Sequence, residues 1–314
     1  MSGYLGLDTS NYTTSAAYWS VEADKPVQAK RLLPVKEGEL GLRQSDAVFH
    51  HTRQLPEMLE QLKEALSDGV VAVAASDRPQ QQEGSYMPCF LVGAGAARQL
   101  GAALGVPVYF FTHQQGHVMA ALTGADCLEL RHRPFLAFHV SGGTTDALLV
   151  EPDDDCIIRC RVVGHSLDLK AGQLIDRVGG LLGLSFPAGP ALEQLALQAE
   201  KVYKPKATLR GTDCHLSGVE NQCRDRLAKG ESPAEVARFC LDSVGAAIEG
   251  MTEAILQEYG DLPVVYAGGV MSNGILKQRF TDRFGGRFAP PMYSADNAAG
   301  IACLCRLAYE RDHR

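Results

Sequence analysis

Residues 5–17, LGLDTSNYTTSAA, are echoed by residues 136–148, LAFHVSGGTTDAL, at a constant offset of 131. Leu5/Leu136, Ser10/Ser141, Thr13/Thr144, Thr14/Thr145 and Ala16/Ala147 are identical across that offset. Each copy reads as an apolar strand, a tight polar turn and a second strand, the pattern of a β-hairpin. Turns of this kind aim backbone N–H groups and hydroxyls into one concavity that suits a phosphate. Two such hairpins facing each other would form an inter-domain cleft with a phosphate grip on either wall. The alternative is two unrelated hairpins that share common turn residues.

The chain has 314 residues, 46% of them hydrophobic, with 32 glycines and one tryptophan. That composition suits a two-domain α/β enzyme with lobes of roughly 130 and 180 residues. No apolar run approaches the roughly 18 residues of a membrane-spanning helix, and the first residues lack signal-peptide character, so a cytoplasmic protein without membrane contact is expected. Nine cysteines with no Cys-x-x-Cys spacing read as free thiols rather than a zinc or redox site. A net charge of −7 argues against unaided binding of nucleic acid; an RNA substrate would need a local basic patch or a partner protein.

Short apolar runs at 4–10, 70–75, 107–111, 134–140, 146–151 and 263–269 are expected strands, with helices between them. Residues 53–66 place Leu55, Met58, Leu59, Leu62 and Leu66 on one helical face. A longer helix is expected over 233–258, behind a Ser232 cap. His50 and His51 read as polar residues before the first helix. Residues 76–90 break both periodicities and read as a loop, either closing over a ligand or making a surface excursion.

His113-Gln-Gln-Gly-His117 follows the expected strand 107–111. The i, i+4 spacing puts both imidazoles on one helical face, where they can share a metal ion, with a carboxylate from elsewhere as third ligand. Taken alone, the pair also fits two surface histidines near a helix start. His132, His139, His165 and His215 lack comparable partners. Ala267-Gly268-Gly269 before Val-Met-Ser-Asn273 reads as strand, glycine turn and helix, where backbone can approach a flat ring or a ribose.

Seven segments, in order, resemble the tRNA threonylcarbamoyladenosine transferases, formerly described as O-sialoglycoprotein endopeptidases. They are LGLDTSNYTTSAA, HHTRQLPEML (50–59), HQQGH (113–117), HVSGGTT (139–145), GQLIDRVGGLLGLSFPAGP (172–190), AGGVMSNGIL (267–276) and SADNAAGIA (294–302). The resemblance implies an α/β, two-lobed fold of the actin-like, sugar kinase and Hsp70 ATPase superfamily, with duplicated ribonuclease H-like domains. Residues 1–133 would form the N-terminal lobe, with the first phosphate hairpin and the metal helix. Residues 134–314 would carry the second phosphate hairpin, the adenosine pocket and a metal-binding aspartate.

The same resemblance implies that His113, His117 and Asp296 bind one divalent metal, iron or zinc. His139, Val140, Ser141, Gly142 and Gly143 would hold phosphate and substrate, Asp176 the ribose, and Gly189 and Asn273 the adenosine of an adenylate or ATP ligand. The implied reaction moves a threonylcarbamoyl group from threonylcarbamoyl-adenylate to N6 of the adenosine 3′ of the anticodon in tRNA, releasing AMP. Implied partners are tRNA, a smaller non-catalytic paralogue, an ATPase accessory protein and the enzyme that makes the adenylate, in a homodimer or heterodimer. No catalytic protein nucleophile is expected, since neither a Gly-x-Ser-x-Gly elbow nor a Cys/His pair is visible.

The chain departs from the family pattern at Asp77-Arg78-Pro79 and the following QQQEGSYMPCF, at Thr144 in place of histidine, and at Leu216-Ser217-Gly218-Val219-Glu220, where an anion replaces a cation. Three functions therefore stay open: the tRNA transferase, a carbamoyl or acyl transferase with another acceptor, and a nucleotide-binding paralogue that dimerises with a catalytic relative.

Overall fold

The computed structural model describes residues 2–10, 12–34, 42–295 and 298–313. Along the chain the strands are β1 (Gly3–Ser10), β2 (Thr13–Ser20), β3 (Val27–Leu32), β4 (Val70–Arg78), β5 (Val108–Thr112), β6 (Phe135–Val140), β7 (Thr145–Asp153), β8 (Ile157–His165), β9 (Thr208–Arg210), β10 (Asp213–His215), β11 (Val264–Ala267) and β12 (Arg287–Phe288). The helices are α1 (Gln44–Gln61), α2 (Lys63–Leu66), α3 (Phe90–Leu104), α4 (His113–Gly124), α5 (Ala171–Leu181), α6 (Gly189–Ala196), α7 (Ser217–Ala228), α8 (Pro233–Tyr259), α9 (Gly274–Phe284), α10 (Pro291–Ser294) and α11 (Ala299–Asp312).

Two compact units result. The first comprises Met1–Arg133, Glu151–Cys160 and Met292–Arg314, and the second Pro134–Val150 and Arg161–Pro291. The first contains a five-stranded sheet in the order β3-β2-β1-β4-β5, and the second is built on a sheet ordered β12-β11-β6-β7-β8. Reversing the second list aligns the two: a meander of three strands, then two strands added alongside the first. The parallel pairings agree as well, β1 with β4 and β4 with β5 against β6 with β11 and β11 with β12.

The repeat in the sequence is a repeat in register. Leu5 pairs with Tyr18, Leu7 with Ala16 and Thr9 with Thr14 in the first hairpin; Leu136 pairs with Leu149, Phe138 with Ala147 and Val140 with Thr145 in the second. Every pair in the second is the offset image of one in the first. Period-2 alternation then gives both hairpins the same two faces. In the first unit Leu5 and Leu7 pack with Leu55, Met58, Val73, Ala75 and Ala97 beneath α1 and α3. Gly6 and Asp8 point the other way, toward α11 and α4. In the second unit Leu136, Phe138 and Val140 pack with Leu174, Ile175, Leu241, Val244 and Tyr266 under α5 and α8. Tyr266 stacks on Phe138, Phe280 and Phe288 with ring centroids 5.2, 4.9 and 5.1 Å apart.

α11 lies in the first unit although it is last in the chain. It packs on β1, β2, β4 and α4, covering the sheet face that α1 and α3 leave open. Its approach to α4 is at backbone distance, because a Cβ built on Gly300 would lie 1.8 Å from the carbonyl oxygen of Gly116. Such a crossing requires glycine at position 300.

Two sequence expectations change. α1 begins at Gln44 and not near 53, so His50 and His51 lie inside a helix, and His51 is fully buried. The apolar periodicity that marks the helix starts only at Leu55, and the earlier turns are held by tertiary packing and hydrogen bonds. The irregular stretch expected over 76–90 narrows to 79–89, between the end of β4 and the start of α3. No helix among the described residues is long and apolar enough to cross a membrane.

Candidate active site

In the first unit the site is built where β1, β4 and α4 meet. Thr112 ends β5 and caps α4: its hydroxyl accepts from Gln115 N at 3.1 Å, and the Gln115 side chain accepts from Thr112 N at 2.8 Å. This capping box fixes the first turn of α4, on which His113 is the leading residue. The His113 and His117 rings lie on one helix face with centroids 4.2 Å apart at 71°. His113 Nδ1 meets the Asp8 carboxylate at 3.1–3.2 Å. Asp8 is fully buried and also accepts from Ser10 Oγ at 2.8 Å and from Ser76 Oγ.

Asp8 escaped the sequence reading. Its signal was an acidic residue inside an apolar strand, and parity places it on the α4 side of the sheet. Asp296 lies outside the described residues, and among those described no third side chain completes a three-ligand set with the two histidines. The pair nonetheless fits a divalent metal. Two imidazoles lie side by side on one capped helix turn, and with Nδ1 of His113 on Asp8, Nε2 would be the nitrogen to coordinate a metal.

Other polar groups of the first hairpin are held within the unit. Thr9 Oγ1 donates to Cys89 O at 3.0 Å and accepts from Gly93 N at 3.0 Å. Thr14 Oγ1 donates to Gln54 Oε1 at 2.8 Å and meets His51 Nδ1 at 2.8 Å. Burial holds the His51 imidazole neutral, with its pKa lowered to about 4. Burial, then the nearby Asp8 charge, pushes the Cys89 thiol up to about 11.

The 79–89 loop is docked within this unit. Gln81 accepts from Cys160 N at 2.6 Å, and Gln115 of the HQQGH segment donates to the carbonyls of Cys156 and Ile158 at 3.1 and 2.8 Å. Gln81 of the insertion, which also donates to Cys156 Sγ at 3.2 Å, and Gln115 of α4 together hold the β7–β8 connection and the start of β8.

In the second unit, Val140 is the last residue of β6 and buried, His139 is half-buried on the opposite strand face, and Ser141–Thr144 close the turn. Ser141 N donates to Thr144 O at 2.7 Å and Thr144 N to Ser141 Oγ at 3.2 Å, while Gly142 and Gly143 are exposed at the tip. The turn is stitched to the start of α5 by Gly172 N to Ser141 O, 3.1 Å, and Ala171 N to Thr145 Oγ1, 2.9 Å.

α5 carries Asp176, whose Oδ1 accepts from Ala188 N at 2.8 Å, immediately before Gly189 opens α6. From α6, Glu193 accepts from Gly274 N at 2.7 Å, and Asn273 caps α9 through Leu276 N at 3.1 Å. One chain of bonded neighbours thus joins the turn, Asp176, Gly189 and Asn273. Glu193 is a connector that sequence reasoning missed. Gly268, at φ 100°, approaches the backbone of Val140, so the close approach expected of this glycine is to β6.

Glu220 sits between Arg177 and Arg224, 3.1 Å from each. The anion introduced there is flanked by two cations. His165 and His215 do have partners: Asp213 at 3.1 Å and Asp168 at 3.3 Å.

Comparison of the structure defines the class first. HypF from T. kodakarensis superposes with a TM-score of 0.62 at 11% identity, covering 99% of this chain and 47% of that one. The (R)-2-hydroxyglutaryl-CoA dehydratase component A of Acidaminococcus fermentans gives 0.57 at 16% identity, covering all of both chains. With the duplicated sheets, these place the chain in the actin-like ATPase and sugar-kinase fold class. By sequence, the family model described as tRNA N6-adenosine threonylcarbamoyltransferase matches residues 39–303. The tRNA N6-adenosine threonylcarbamoyltransferase of Methanopyrus kandleri is 32% identical over 276 residues, 86% of this chain and 77% of that protein. The chain belongs to the tRNA N6-adenosine threonylcarbamoyltransferase family.

Proposed function

We propose that this chain transfers the threonylcarbamoyl group from threonylcarbamoyl-adenylate to N6 of the adenosine 3′ of the anticodon in tRNA, acting in the cytoplasm with one bound iron or zinc ion. The observation that carries the reading is the His113–His117 pair, set on one face of α4 by a capping box and backed by a buried carboxylate. Family membership supplies the reaction class.

His113, His117 and Asp296 would hold the metal, which supplies Lewis-acid polarisation of the carbamoyl or carboxylate oxygens when bound. The Ser141–Thr144 turn presents exposed backbone at Gly142 and Gly143 to a phosphate, and His139 lies on the strand leading into it. Asp176 has the two-oxygen acceptor chemistry that suits a ribose diol. Gly189 leaves room beside it, and Asn273 spends its carbonyl on the helix cap, which turns the amide nitrogen into the group for an adenine acceptor. No protein nucleophile is required when an amine attacks an activated carbonyl and AMP leaves.

Glu220 is paired with Arg177 and Arg224, so the cluster keeps a net positive charge and the substituted anion is compatible with a tRNA acceptor. A smaller non-catalytic paralogue, an ATPase accessory protein and the adenylate-forming enzyme are the proposed partners, with tRNA held jointly. The test is mass spectrometry of tRNA nucleosides from cells depleted of their own transferase and supplied with this chain and all accessory proteins. Restored threonylcarbamoyladenosine is expected. Its absence despite soluble, metal-loaded protein would overturn the assignment of acceptor.

A further inference from the structure

We propose that Asp8 is a positioning residue for His113, holding the imidazole in the tautomer and orientation that present Nε2 to the metal. The inference rests on the reading of His113 and His117 as metal ligands. Asp8 stands on β1 with its side chain on the α4 face, fully buried. Ser10 Oγ and Ser76 Oγ both donate to it, which fixes the carboxylate plane from its own strand and from the neighbouring β4. Its contact with His113 Nδ1 spans 105 residues of sequence.

A carboxylate offers acceptors only, so the ring nitrogen facing it carries the hydrogen and the lone pair falls on Nε2. The ring can neither flip nor rotate about its χ2 axis without breaking that bond and leaving a buried carboxylate short of a donor. Carboxylate partners of metal-bound imidazoles both orient the ring and strengthen its lone pair as a donor. Thr9 and Thr14 of the same hairpin bond to α3 and α1 elements, so β1 is anchored on its other face and Asp8 is not free to follow a moving ring.

The experiment uses the full chain with zinc as probe, measured by competition against a chelator, together with ¹⁵N-histidine NMR of the metal-free protein. Asp8→Asn is expected to weaken zinc binding roughly 10- to 100-fold and to move His113 from the Nδ1–H form toward a mixture of tautomers. Asp8→Glu should recover part of both. Unchanged affinity and unchanged tautomer in Asp8→Asn would overturn the proposal, and so would a loss as complete as that of His113→Ala, which would make Asp8 a ligand itself. If Asp8→Asn does not fold, Ser76→Ala carries the test: it keeps the carboxylate but loosens it, and wild-type affinity there overturns the proposal. His113→Ala separates the two readings. Retained zinc in that variant sinks the metal site, whereas lost zinc in His113→Ala with intact binding in Asp8→Asn sinks only the role of Asp8.

Discussion

Gly300→Ala tests whether the crossing of α4 and α11 holds the proposed metal site together. The added Cβ would lie 1.8 Å from Gly116 O and 2.7 Å from Ala120 N, both backbone atoms of the helix that carries the histidines. No rotamer relieves that overlap, so the helices must part by roughly 1.5 Å to reach ordinary contact. Overpacking of a tight interior costs about 1–3 kcal/mol, and a clash between backbones belongs at the upper end. In a protein of 314 residues that lowers the melting temperature by roughly 3–5 °C. α11 begins three residues after Asp296, so parting the helices also shifts the segment proposed to complete the metal site, and zinc affinity should fall at least about tenfold. Gly95→Ala in α3 is the control. Its Cβ meets nothing within 4 Å, and a glycine-to-alanine change in an uncrowded helix stabilises by about 0.4–1 kcal/mol. Calorimetry and chelator competition on the two variants decide the matter. A Gly300→Ala protein that melts with wild type and binds zinc equally well would refute the reasoning.

Three further outcomes are expected. His51, depressed to about 4, takes up its proton later in the native state than in the unfolded chain. Stability should therefore fall as pH drops from 6.5 toward 4, by roughly 3 kcal/mol from this group; denaturant titrations of wild type and His51→Gln should diverge across that window, and parallel curves would contradict it. Asn273→Ala should cost about 1 kcal/mol through loss of the α9 cap. Asn273→Asp keeps the cap oxygen, so it should melt like wild type yet bind adenosine nucleotide several-fold more weakly in calorimetric titration. Glu220→Ala should change stability by less than about 1 kcal/mol, since its arginine partners are largely exposed, and should raise tRNA retention at low salt by releasing two cations.

Several elements were legible without the structure because their signals are local. The two hairpins follow from alternation and turn residues, the α8 start from Ser232 and Pro233, and the α4 histidine pair from i, i+4 spacing. The start of α1 was not legible, since residues 44–52 carry no apolar stripe and His51 is buried beside Thr14, which also bonds Gln54. At Glu220 the i,i+4 partner Arg224 is within local range of the sequence, whereas Arg177, 43 residues away, is brought to it only by the fold.

The sequence by itself determined the duplication, the strand parity that puts Asp8 and His139 on corresponding faces, and the pairing of His113 with His117, all of which depend on period and short spacing. Tertiary structure decided that α11 returns to the first sheet, that Asp8 meets His113, and that Asp176, Gly189 and Asn273 become neighbours through Ala188 and Glu193. Those contacts depend on which distant backbones can approach, at Gly116 against Gly300 above all, and no local pattern of residues encodes that choice.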